Sequence, residues 1–155
     1  MIADNFTELL NALAKYNVEF MLAGGFAVNY HGYSRTTSDL DIWIKPTDEN
    51  KQKIYDSLLS IGYPKDALNQ ILQLDFSKPI CFQLGTTPID VDIFNYITGV
   101  SYSDAEKNMV PYKISKDITV NFISIRDLIV NKMLTGRTQD KLDVEMLQKI
   151  QLKRK

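Results

Sequence analysis

The sequence is poor in the residues that mark secreted, disulfide-bonded or membrane-spanning proteins. It contains one cysteine, Cys81, and one histidine, His31. A single cysteine excludes an intramolecular disulfide and a zinc site built from several cysteines. No stretch approaches the ~20 apolar residues of a membrane helix, and the N-terminal stretch lacks the apolar segment of a signal peptide. We therefore expect a cytoplasmic protein with no membrane partner.

Neither sign of charge dominates. The chain has 18 Lys and Arg residues against 19 Asp and Glu residues, which argues against broad, unspecific coating of nucleic acid. Its 45% hydrophobic and 24% charged residues are typical of a folded globular protein. A length of 155 residues is that of one domain. We expect a single domain over 1–155, with its core at about 20–95 and further strands and helices at about 110–150.

Helical and strand patterns alternate along the chain. Apolar residues at helical spacing predict a first helix from Phe6 to Tyr16. Short apolar or alternating runs predict strands in "VEFMLAG", "DLDIWIK", "PICFQLG", "PIDVDIF", "VPYKI" and "ITVNFI". Further helices are predicted at 26–33, 50–61, 65–74, 101–109, 124–134 and 138–150. This order predicts an α/β or α+β fold in which helices flank a mixed sheet.

One strand that looks buried carries two acidic residues. Asp39 and Asp41 stand two apart in "DLDIWIK", shortly after the adjacent glycines Gly24 and Gly25. Side chains two apart on a strand share a face, and neighbouring carboxylates resist joint ionisation unless a cation lies between them. Magnesium suits such oxygen ligands and completes its shell with water and substrate phosphates. Taken alone, the motif favours a half-exposed strand whose polar residues face water.

A later strand repeats this pattern with Asp90 and Asp92. Either residue, placed beside the first pair, would complete a metal site suited to phosphoryl transfer. Glycines between a strand and a helix let a phosphate approach the backbone and the free N–H groups of the helix start. The glycines alone would indicate only a tight turn. The order of glycine turn, helix, carboxylate pair and later carboxylate favours a nucleotide site.

The stretch "GGFAVNYHGYSRTTSDLDIWI" resembles the core motif of the nucleotidyltransferase superfamily. With the later "KMLTGRTQDKLDVEML", it is similar to the minimal bacterial nucleotidyltransferases related to the type IV abortive-infection (AbiEii-like) toxins. The resemblance spans about 20–150 and implies the nucleotidyltransferase fold. It also implies transfer of a nucleoside monophosphate from a nucleoside triphosphate such as ATP to a hydroxyl, with Mg²⁺ or Mn²⁺ and release of pyrophosphate. The acceptor stays open between RNA such as tRNA, a protein and a small molecule, and a cognate antitoxin is an implied partner.

The same resemblance implies roles for individual residues. It assigns metal binding and catalysis to Asp39, Asp41 and Asp92, with Asp90 as the competitor of Asp92. It assigns contact with the triphosphate to Lys132. The remaining nucleotide-binding positions that it implies are Gly24, Gly25, Arg35, Thr37, Arg137 and Asp140.

Several of these residues have a structural alternative. Thr37 is suited to fixing its loop, and Arg137 and Asp140, three apart, are suited to pairing across a helix start. Trp43 either lines the nucleotide pocket or packs in the core, and His31 is expected to be a structural hydrogen-bonding residue. The competing class of function is a non-catalytic nucleotide-binding or toxin–antitoxin regulatory module.

Overall fold

The structure, a computed structural model, describes residues 4–85 and 90–154, and these form one mixed six-stranded sheet flanked by helices. The strand order across the sheet is β3-β4-β2-β1-β6-β5. The pairs β2–β4 and β1–β6 are parallel, and the other neighbouring pairs are antiparallel. The strands are β1 (Phe20–Ala23), β2 (Leu40–Ile44), β3 (Cys81–Leu84), β4 (Val91–Phe94), β5 (Val110–Lys113) and β6 (Thr119–Phe122).

The helices of the described residues separate these strands, and none of them is long and apolar enough to cross a membrane. Every helix and strand predicted from the sequence is present, which confirms the predicted α+β class. The turn predicted between β3 and β4 falls largely on 86–89, outside the described residues. The helices are α1 (Asp4–Lys15), α2 (Gly24–Tyr30), α3 (Asp48–Ser60), α4 (Lys65–Leu72), α5 (Tyr102–Ala105), α6 (Ile125–Thr135) and α7 (Thr138–Lys153).

Strand β2 lies at the centre of the hydrophobic core. Leu40, Ile42 and Ile44, on one face of the strand, are fully buried. Trp43, on the opposite face, is also buried and packs edge-on against Tyr102 at a centroid distance of 5.2 Å. Of the two alternatives for Trp43, the structure therefore has core packing. A shift of β2 by one residue would move Asp41 onto the buried face formed by Leu40, Ile42 and Ile44, so the position of Asp41 along the strand is firmly set.

Asn50 connects the start of α3 to the ends of β1 and β2. Its backbone N–H donates to the Thr47 hydroxyl, so that Thr47 caps α3 as the sequence predicts. The fully buried Asn50 side chain accepts from the N–H of Glu19 at 2.8 Å and donates to the carbonyls of Glu19 and Lys45 at 2.9 and 3.0 Å. These bonds fix the ends of β1 and β2 that lie away from Gly24 and Asp41.

Replacement of Asn50 by Ala is expected to lower the free energy of unfolding by about 2–3 kcal/mol, because it removes three hydrogen bonds of a buried side chain and leaves the N–H of Glu19 without a partner. Urea unfolding at neutral pH measures the change. Asn69→Ala, at an exposed position of α4, is the matched control and should change stability by less than about 0.5 kcal/mol. Equal effects of the two substitutions would contradict the bridging role of Asn50.

Candidate functional site

Asp41 and Asp92 face each other across neighbouring strands. They are direct register partners in the parallel pair of β2 and β4, so their side chains leave the same face of the sheet. On its other side Asp41 is paired with Ala23, the last residue before the glycine turn. Asp41 therefore lies between Asp92 and the turn, in the order across the sheet that the sequence-based hypothesis requires.

Gly24 allows the Asp41 carboxylate to lie directly against the backbone. A Cβ atom at Gly24 would overlap Oδ2 of Asp41 and lie 2.8 Å from its Cγ. Gly24 also has φ +62°, a left-handed conformation that favours glycine. Gly25 is close to Thr37 in the same way, since an added Cβ would overlap the Thr37 hydroxyl. This packing agrees with Thr37 as the residue that fixes the loop leading to β2.

Asp39 and Asp90 lie just outside the paired strands. Asp39 is exposed, and the Ser38 hydroxyl donates to its Oδ1 at 3.1 Å. The backbone carbonyl of Asp90 accepts from Leu40 at 3.0 Å, whereas Asp92 is the residue opposite Asp41. Within residues 4–85 and 90–154, no three His, Cys, Asp or Glu side chains are grouped closely enough to hold a metal ion. Of the three carboxylates predicted to bind metal, Asp41 and Asp92 therefore lie opposite each other. Asp39 lies in the preceding loop, because β2 begins at Leu40.

The acidic residues repel one another strongly enough to affect ionisation. Burial, together with the negative charges of Asp92 and Asp39, raises the pKa of Asp41 to about 6, against the opposing effect of Lys132 and Arg137. A cation beside Asp41 and Asp92 would relieve this repulsion. Magnesium commonly takes only one or two protein carboxylates and shares its other positions with water and phosphate. The donor chemistry of this pair therefore fits Mg²⁺ or Mn²⁺.

A cleft of about 280 Å³ opens above Asp41. Five of the predicted site residues line it: Gly24, Asp41, Lys132, Arg137 and Asp140. The other predicted residues do not line this cleft; they are Gly25, Arg35, Thr37, Asp39 and Asp92. The cleft is completed by the chain after β4 on one side and by α6 on the other, through Phe94, Tyr96, Ile97, Thr98, Asn131 and Thr135. The cleft thus brings Gly24 and Asp41 of the first motif together with residues of the second motif in α6 and α7.

Lys132 is held by two buried carboxylates of α7. Its Nζ lies 3.3 Å from Oδ1 of Asp140 and 2.9 Å from Oδ2 of Asp143. Arg35 makes a two-pronged contact with the same Asp143, at 2.8 and 2.9 Å. Burial alone would raise the pKa of each carboxyl, but hydrogen bonds from Arg137 to Asp140 and from Arg35 to Asp143, with the Lys132 charge, hold both pKa values below the ordinary range.

The resemblance implies that Lys132 and Arg35 contact the phosphates. In the structure both are paired with carboxylates of α7, and Lys132 also lines the cleft. The side chain of Lys132 is only 7% exposed. A cation this deep in the protein needs anionic partners, because burial of an unpaired charge is costly.

Arg137 is the more accessible cation at the cleft. Its Nε donates to Oδ2 of Asp140 at 2.9 Å, so the predicted pairing across the start of α7 is present. The side chain is nevertheless 78% exposed. The buried His31 donates from Nε2 to the Ile123 carbonyl at 2.8 Å, assuming the tautomer that this contact requires, which agrees with a structural role.

The fold is similar to that of a known nucleotidyltransferase. No protein-family model matches the sequence, and no curated protein matches it. The crystal structure of the aminoglycoside nucleotidyltransferase ANT(2")-Ia in complex with adenylyl-2"-tobramycin superimposes with a TM-score of 0.52 at 11% sequence identity, over 96% of this chain and 91% of that chain. The likeness confirms the predicted fold.

The raised pKa of Asp41 predicts that Asp41→Asn stabilises the metal-free protein at neutral pH. The pKa is about 6 in the folded chain against an ordinary value of 3.8, so ionised Asp41 opposes folding above pH 6 and has no such effect below pH 3.8. The substitution should raise the free energy of unfolding by up to about 3 kcal/mol at pH 7.5. The gain should shrink as the pH falls from 6 towards 4.

Urea unfolding in the presence of EDTA at pH 7.5 and 4.5 measures this difference. Asp117→Asn, in the exposed turn between β5 and β6, controls for the loss of one negative charge and should be neutral at both pH values. A less stable Asp41→Asn protein at pH 7.5 would refute the repulsion.

The pairing of Lys132 predicts that Lys132→Ala lowers the free energy of unfolding by about 3–5 kcal/mol, since it leaves Asp140 and Asp143 buried without their shared cation. Lys141→Ala, at an exposed position of α7, is the control and should change stability by less than about 0.5 kcal/mol. Thermal and urea unfolding measure both. A fully stable Lys132→Ala protein would show that the network contributes little to the fold.

Proposed function

We propose that the chain is a metal-dependent nucleotidyltransferase. It would transfer a nucleoside monophosphate from a nucleoside triphosphate to a hydroxyl acceptor and release pyrophosphate. One observation carries the proposal: the Asp41 carboxylate lies against the Gly24 backbone and opposite Asp92, at a cleft that also exposes Arg137. Carboxylates, a backbone turn free of a side chain and a cation beside one cleft support the binding of a triphosphate with a divalent metal.

The cations of the cleft have different roles in this proposal. Arg137 engages Asp140 mainly through Nε and keeps other guanidinium donors for phosphate oxygens. Lys132 acts through its charge from within the network. That network consists of three cations and two carboxylates, so it has a net positive charge of one beside the cleft. A triphosphate would therefore be attracted to this side and the metal to the acidic side.

Asp41 and Asp92 would hold Mg²⁺ or Mn²⁺, with Asp39 as the third carboxylate that the resemblance implies. When bound, the metal would neutralise negative charge on the phosphate oxygens. Gly24 leaves the space beside Asp41 free of a side chain. These residues together would orient the α-phosphate towards the acceptor.

In the proposed reaction, Asp92 acts as the base. The acceptor hydroxyl gives its proton to a carboxylate oxygen of Asp92 as its oxygen forms a bond to the α-phosphorus. The bond from the α-phosphorus to the bridging oxygen breaks, and pyrophosphate leaves with the electron pair. Arg137 stabilises the charge that develops on the leaving group, an effect that depends on its position before the reaction begins.

The acceptor hydroxyl belongs to one of three candidate classes of molecule. The structural neighbour was crystallised with adenylyl-2"-tobramycin, which makes a small molecule with hydroxyl groups one candidate and ATP a reasonable first donor. RNA such as tRNA and protein hydroxyls are the other candidates. The resemblance to the AbiEii-like toxins supports a cognate antitoxin as a partner.

Labelling with nucleoside triphosphates tests the proposal. Each triphosphate, labelled either at the α-phosphate or at the γ-phosphate, is incubated with the protein, Mg²⁺ or Mn²⁺ and a lysate, which is then separated into RNA, protein and small molecules. Label from the α-position should enter one fraction, and label from the γ-position should not. EDTA should abolish transfer, and Arg137→Gln should slow it about a hundredfold, as for the loss of one electrostatic donor.

Lys116→Gln, in the exposed turn between β5 and β6, is the control for loss of one positive charge and should transfer label at the wild-type rate. Metal-dependent triphosphate binding without transfer to any fraction would favour the non-catalytic nucleotide-binding module. Absence of metal-dependent binding would refute the proposed function altogether.

A further inference from the structure

We infer that Gln83 is a positioning residue that orients the Asp92 carboxylate for metal binding. The inference rests on the proposed function and adds to it a residue that no sequence motif indicates. Gln83 lies on β3 directly opposite Asp92 in the antiparallel pair of β3 and β4. Its Nε2 donates to Oδ1 of Asp92 at 2.9 Å.

The three residues form a row across the sheet. Gln83 is opposite Asp92 in one strand pair, and Asp92 is opposite Asp41 in the next. Paired residues of adjacent strands project from the same face. The Gln83 amide therefore approaches Asp92 from the side of the edge strand, while Asp41 lies on the side of the glycine turn.

The contact differentiates the two oxygens of Asp92. Oδ1 accepts the Gln83 bond, and among residues 4–85 and 90–154 no side chain or backbone N–H donates to Oδ2. A hydrogen bond to one oxygen restricts rotation of a carboxylate and leaves the other oxygen available. Partners of this kind orient metal-binding groups, and their removal weakens metal affinity about 10–100-fold. Gln83 is neutral, so it orients Asp92 without cancelling the charge that a metal needs.

A packing role for Gln83 has to be separated from this one. Gln83 also borders a cavity of about 220 Å³ between α4 and β3, together with Gln70 of α4. Gln70 is exposed and has the same side chain. A substitution at Gln70 therefore tests the effect of altering this cavity while the bond to Asp92 stays intact.

Binding of Mn²⁺ alone, measured by calorimetric titration without nucleotide, is the direct test. Gln83→Leu and Gln83→Ala, neither of which can donate the bond, should each weaken Mn²⁺ affinity about tenfold or more. Gln70→Leu should bind Mn²⁺ as the wild type does. In the Asp92→Asn background, Gln83→Leu should have no additional effect, because the carboxylate on which it acts is gone. Unfolding curves recorded in parallel should show similar stability for the Gln83 and Gln70 variants, whereas Asp92→Asn, which relieves repulsion of Asp41, should be at least as stable as the wild type.

The outcomes separate this inference from the proposed function. If Asp92→Asn weakens Mn²⁺ binding and Gln83→Leu does not, Gln83 has no positioning role and the metal site stands. If Gln70→Leu weakens binding as much as Gln83→Leu, the effect is one of packing and the inference is refuted. If neither Asp41→Asn nor Asp92→Asn alters Mn²⁺ binding, the proposed metal site itself is wrong, and the inference is refuted with it.

Discussion

The contact of Lys132 with Asp140 and Asp143 is the interaction on which the cleft depends. It joins α6 to α7 inside the protein, and Arg35 extends it to the loop that precedes β2. Arg35 and Asp143 are 108 residues apart in sequence. Charged groups at such depth are stable only as a paired set, so each member restricts where the others can lie. The network therefore fixes the wall of the cleft relative to the strand that carries Asp41.

The site is divided into an acidic side and a basic side of opposite electrostatic character. On the basic side, carboxylates are paired and their pKa values are low, as for Asp140 and Asp143. On the acidic side, burial and the negative charges of Asp92 and Asp39 raise the pKa of Asp41 to about 6. The ionised form of aspartate is thus stabilised on the basic side of the site and destabilised on the acidic side. Unrelieved repulsion of this kind is common where a ligand supplies the missing charge.

The sequence was sufficient for the order of helices and strands, for the fold and for the pairing of Asp41 with a residue of the later strand. Period-two patterns and glycine turns are local signals that indicate helices and strands, whereas the nucleotidyltransferase fold was implied by the resemblance of the motifs. The choice between Asp90 and Asp92 as the residue opposite Asp41 depends on strand register, which becomes visible only when β2 and β4 are paired. Gln83 lies on the same register and belongs to no motif. Its contact with Asp92 could not be predicted from spacing within one strand.

The assignment of Lys132 to the triphosphate illustrates a further limit of sequence motifs. A motif identifies a positive charge near a site, but it does not distinguish a group that touches the ligand from one that acts at a distance. Burial makes that distinction here. Lys132 would have to leave two carboxylates to reach a phosphate, whereas Arg137 is largely exposed and keeps donors free. Lys132 and Arg137 therefore have different roles. The buried Lys132 fixes the wall of the cleft and contributes positive electrostatic potential, whereas the exposed Arg137 is able to bind a phosphate.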